Sequence, residues 1–147
     1  MTSGLENPGV IAGFNPQPDP PKVFGSMGLV AGQTIRLSAV NVLDPGTTAL
    51  PPDPCRVTLL LIGPEGDVLA RSTKVLEPGA ATFVDLAVAP PVDANGAALD
   101  PTARAQVRAV VEVESLGRRA LPPDPCRATL EVFDTATGRT TALASPR

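Results

Sequence analysis

Proline and glycine punctuate this chain so densely that long helices do not fit between them. Eighteen prolines and thirteen glycines are spread over 147 residues, and each proline removes a backbone donor and fixes φ. The apolar residues therefore gather in short runs bounded by turn chemistry, which is the pattern of strands and tight turns. A chain of this length makes one domain with a real core.

From Val23 onward the runs carry the period of two expected of strands. Residues 33–42 place Ile35, Leu37 and Ala39 on one face, with Arg36 and Ser38 on the other. Residues 57–62 are almost continuously apolar, as in a central strand. Gly63-Pro64-Glu65-Gly66-Asp67 reads as a turn, and 68–75 as the returning strand. Glu77-Pro78-Gly79 is a second turn before 82–88. A Pro/Gly/Asn-rich connection spans 89–105, with a short helix at about 100–105. Val107, Ala109, Val111 and Val113 then alternate with Arg108, Glu112 and Glu114. Residues 128–134 turn through 135–138 into 139–144. The pattern predicts an all-β fold, a seven- to eight-stranded antiparallel β-sandwich over residues 23–147.

Residues 1–22 read differently. Pro8, Pro16, Pro18, Pro20 and Pro21 favour extended, polyproline-like backbone. One apolar island interrupts them, Val10-Ile11-Ala12-Gly13-Phe14, long enough for one strand but not for a core. The segment is expected to be an extended N-terminal arm.

The octapeptide Ala49-Leu50-Pro51-Pro52-Asp53-Pro54-Cys55-Arg56 recurs as Ala120-Leu121-Pro122-Pro123-Asp124-Pro125-Cys126-Arg127. Each copy leads into a Thr-Leu strand, so the repeat is expected to mark two equivalent strand starts in one sandwich. Cys55 and Cys126, the two cysteines, are disulfide candidates, within the chain or between subunits. An intrachain bridge would close a loop of about 70 residues, for which chain entropy gives roughly 4 kcal/mol. Buried free thiols are the alternative, and half a zinc site or a redox pair are weaker ones, without His or Cys-x-x-Cys. The Pro-Pro-Asp-Pro segments resemble PxxP ligands, but proline also blocks edge pairing and stiffens strand starts.

Composition removes several function classes. There is no His, Trp or Tyr, and Phe occurs four times. The commonest general base and metal ligand are thus missing, and so are the aromatic platforms for sugars and bases. Net charge is −3 with twelve scattered Lys and Arg, so nucleic acid is not an expected partner. No nucleotide or nucleophile motif occurs. No enzyme, metal, cofactor or small-molecule substrate is expected. Glu112 and Glu114 read as a solvated strand face. Asp93, Asn95 and Asp100 are candidates for a binding loop; the Asn95-Gly96 pair fits a turn better than a calcium loop. No stretch approaches the roughly 20 apolar residues of a membrane-spanning helix. Residues 1–8 lack the features of a secretory signal, although an oxidised cysteine pair would favour an extracellular or cell-surface location.

Gly32-Gln33-Thr34-Ile35-Arg36-Leu37, the Cys55 strand with its Gly66-Asp67 turn, Glu77-Pro78-Gly79, and Leu130-Glu131-Val132-Phe133-Asp134 before Gly138-Arg139-Thr140 resemble small uncharacterised bacterial β-sandwich proteins of Ig-like or jelly-roll-like form. The resemblance covers about residues 24–144 and implies a fold, with no activity attached. More loosely, the architecture resembles fibre and appendage subunits whose N-terminal connector precedes a sandwich. Some such connectors carry cysteines; this arm carries none. Two expectations follow. One is a non-catalytic, self-assembling subunit of a homo-oligomer or filament, with Val10, Ile11 and Phe14 anchoring the arm on a neighbour; equally, the island could add a strand to its own sandwich. The other is a monomeric binding or accessory module that uses its end loops.

Overall fold

The computed structural model describes residues 20–42, 53–88, 94–96, 104–116 and 126–146. Among the described residues there are nine strands and no helix. They are β1 (Lys22–Val23), β2 (Met27–Leu29), β3 (Gln33–Asn41), β4 (Cys55–Ile62), β5 (Val68–Leu76), β6 (Ala81–Ala87), β7 (Ala105–Ser115), β8 (Cys126–Asp134) and β9 (Thr140–Ala144). The all-β reading holds, and β3 to β9 are the seven strands visible in the sequence. The two additional strands, β1 and β2, are two and three residues long, too short to show any alternation. Ala105, read as the end of a short helix, is instead the first residue of β7 and pairs with Leu29. Residues 1–19, with the apolar island, lie outside the described residues.

All pairings are antiparallel. One sheet runs β1-β7-β4-β5, with β2 also on β7, and the other runs β6-β3-β8-β9. Buried and exposed residues alternate along β3, β4 and β8, because successive side chains leave opposite faces of a strand. The inward set forms the core between the sheets. Ile35 and Leu37 from β3, Leu59 and Leu61 from β4, Val111 from β7 and Leu130 from β8 are all completely buried.

Turn chemistry decides how the sheets connect. Gly79 has φ +86°, a conformation that costs glycine little, and Ala80 N donates to Glu77 O at 2.9 Å. This turn carries the chain from β5 in one sheet to β6 in the other, so β6 pairs with β3 and not with β5. At the β8–β9 hairpin, Asp134 Oδ1 accepts from the backbone amides of Ala136 at 3.0 Å and Thr137 at 2.9 Å. These bonds, with one from the Thr137 hydroxyl, hold the Asp134 carboxyl below its usual pKa. Leu59 lies in the middle of β4, between Ser72 of β5 and Val111 of β7. Leu59→Ala should therefore cost about 2–5 kcal/mol, as for other fully buried leucines. A denaturant titration of the two proteins checks this value.

Candidate assembly site

The repeated octapeptide does mark two equivalent strand starts. Cys55 opens β4, which lies between β5 and β7, and Cys126 opens β8, which lies between β9 and β3. Each of these inner strands is followed by its own hairpin partner and flanked on the other side by an earlier or later strand. Both cysteines are buried, with Cα atoms 6.8 Å apart across the two sheets of one chain, within reach of a disulfide.

Asn41, at the end of β3, pairs with Cys126 in register and is completely buried. Its side-chain amide donates to Asp53 O at 2.9 Å and to Leu76 O at 3.0 Å. It thus ties the end of β3 to the start of β4 and the end of β5, next to the cysteines. Its Oδ1 is buried without a hydrogen-bond partner, a polar cost at this junction. The sequence reading did not single out Asn41. The available signal was its parity with Ile35, Leu37 and Ala39, which places it inward despite its polarity.

The outer face of the four-stranded sheet carries a cross-strand charge cluster. Arg36 Nε and Nη2 donate to the two Asp85 oxygens at 2.7 and 2.8 Å. The guanidinium lies 4.0 Å from the Phe83 ring centroid and 5.4 Å from that of Phe133. The hydrogen bond to Asp85 raises the Arg36 pKa above its ordinary value, against an opposing desolvation. Solvent screening keeps the stabilisation from such an exposed pair modest.

The edge of β7 is covered over only part of its length by described strands. On one side β7 pairs with β4 from Arg108 to Ser115. On its other side β2 covers Ala105 to Val107 and β1 covers Val110 and Val111. Phe24 N donates to Ala109 O at 3.1 Å, whereas Leu116 N donates to Pro54 O at 3.0 Å. Odd-numbered residues of β7 therefore turn their backbone groups toward β1, and even-numbered residues turn theirs toward β4. By this alternation Val113 and Ser115 present N–H and C=O on a side where no described strand lies. Pairing by β1 ends at Lys22. Residue 20, next in the same alternation, is a proline with no N–H to donate.

The remaining sequence candidates fall elsewhere. Val10, Ile11 and Phe14 lie outside the described residues, as do Asp93 and Asp100. Asn95 lies in an exposed turn whose Gly96 has φ +82°. At the end of the sandwich opposite the cysteines, Pro64, Leu69, Leu86, Val88, Arg104 and Val107 line an open, mainly apolar groove of about 410 Å³. No helix among the described residues is long and apolar enough to cross a membrane. Comparison with protein-family models, curated proteins and solved structures finds no match to this chain.

The cysteine geometry carries its own test. The pair is separated by 71 residues, and opening a loop of that size should cost about 4 kcal/mol on the chain-entropy account. The denaturation midpoint of the native chain should fall accordingly on reduction, and that of the Cys55→Ala/Cys126→Ala double variant should not respond to reductant. An intact mass equal to one chain before reduction, gaining two hydrogens on reduction, identifies the bridge as intrachain.

Proposed function

We propose that this chain is a non-catalytic structural subunit that self-assembles through the residues preceding β1. One observation supports the reading: prolines stand where the arm would need backbone donors to extend its own sheet. In the alternation set by the Phe24–Ala109 bond, residues 20, 18 and 16 would have to donate to β7 in turn, and all three are prolines. The apolar island upstream is too short to make a core of its own. A neighbouring copy offers it a surface, and such a head-to-tail contact builds rings or open filaments according to its rotation.

The bridging distance between Cys55 and Cys126 is compatible with an oxidising compartment. A cross-link between the sheets of one subunit suits a protein that works outside the reducing cytosol. The second reading, a monomeric binding module, is favoured by the apolar groove beside Val88 and Arg104. The lining of that groove includes Val88, Arg104 and Ala105, at the two ends in sequence of the 89–105 connection from which a binding loop is expected.

Analytical ultracentrifugation of the full chain and of a chain lacking residues 1–19 separates the two. On the self-assembly reading, the full chain sediments as concentration-dependent larger species and the shortened chain as a stable monomer. A full chain that stays monomeric at every concentration leaves only the binding module.

A further inference from the structure

We infer that the acceptor for the arm is the open edge of β7 at residues 112–115, filled by residues 9–15 of a second copy of this chain. The inference rests on the self-assembly reading and names its site. The edge is half built: β2 and β1 line its lower part and stop at Val111, leaving the Val113 and Ser115 backbone groups open among the described residues. A comparable step occurs where β9 ends opposite Leu130 and β8 continues to Cys126, but there no row of prolines bars the strand from continuing. A strand placed on the β7 edge continues the line of β1 and completes the sheet.

The occupant is argued from the sequence of the arm. Residues 9–15 are the seven-residue stretch between Pro8 and Pro16, so every residue in it keeps its N–H. At ~3.3 Å per residue it outspans the four-residue edge. In extended form Val10, Ala12 and Phe14 share one face, an apolar side to set against the buried face that Val113 shares. Gly13 and, unlike in the anchor set expected from the sequence, Ile11 then lie on the outward face with Glu112 and Glu114, which are exposed. The stretch carries no charge, so pairing brings no like charge toward these carboxylates.

The donor belongs to a second copy because of what joins it to β1. Every residue from 15 to 21 is either a proline or directly precedes one, and both positions favour extended backbone. In polyproline form residues 16–21 alone span about 19 Å. To return to its own β7 edge the island would have to reverse direction within residues 16–21, which hold no glycine or asparagine to make the turn. The same stiffness limits the entropy lost when the arm docks on a neighbour.

Cross-linking with a short bis-maleimide tests the site in the full-length chain. One variant carries Ile11→Cys, a second Glu112→Cys, and a third both; unchanged thermal melting establishes that each is folded. Mixing the two single variants, tagged to differ in mass, should give a heterodimeric product joined through residues 11 and 112. The double variant should give a ladder of multimers, and the unsubstituted chain no product. A double variant that cross-links only within one chain overturns docking on a second copy. Absence of the product, while the full chain still assembles and loses assembly on removal of residues 1–19, overturns the β7 edge but leaves arm-driven assembly standing. A full chain that is monomeric throughout overturns both.

Discussion

The fold depends on two inner strands, β4 in one sheet and β8 in the other, whose inward side chains join one aliphatic core between the sheets. With no Trp or Tyr available, no single large ring fills the space between the sheets. Leu59 and Leu61 on one strand and Leu130 on the other are completely buried, and burying such side chains supplies the main driving force for folding. Registration of the two strands then matters, because a slip by one residue would turn each apolar row to solvent. Cys55 and Cys126 stand at the first position of both rows, and Asn41 ties the adjoining strand ends together. The repeated octapeptide is thus a structural device, used once in each sheet at the same end of the molecule.

That arrangement separates the two ends and edges of the sandwich by what each has available. The cysteine end is closed by covalent distance and by the buried Asn41 amide. The opposite end is open, with an apolar groove between β6 and the start of β7. The charged outer face carried by Arg36 and Asp85 is satisfied within itself and exposed to screening. Along β7 the situation differs, because strand pairing stops for a chemical reason. Proline cannot donate, and the residue at which β1 ends is the last in its row able to do so. An edge left open by the sequence of its own neighbour is better suited to a partner than an edge that is merely exposed.

The strands with full alternation were legible in the sequence. Residues 33–42 and 128–134 show their inward faces as plainly in letters as in burial. The pairing order was not legible, because the turn at Glu77-Pro78-Gly79 reads as a hairpin but passes the chain to the other sheet. Nor were β1 and β2, which exist only because β7 offers them an edge. Asn41 was hidden by polarity: a buried amide that caps two carbonyls looks, in sequence, like an exposed strand end. The meaning of Pro20 was equally hidden. Its lack of an N–H is visible at once, but its consequence required the alternation that the Phe24–Ala109 bond sets.

On the proposed assembly, the open β7 edge becomes a paired edge. Amide hydrogen exchange at residues 112–115 tests it residue by residue, in the full chain and in the chain lacking residues 1–19. The Glu112 and Glu114 amides point toward β4 and should exchange slowly in both, serving as an internal control. The Val113 and Ser115 amides should exchange slowly in the assembled full chain and rapidly in the shortened one. Equal, rapid exchange of Val113 and Ser115 in both would show that no strand pairs with this edge.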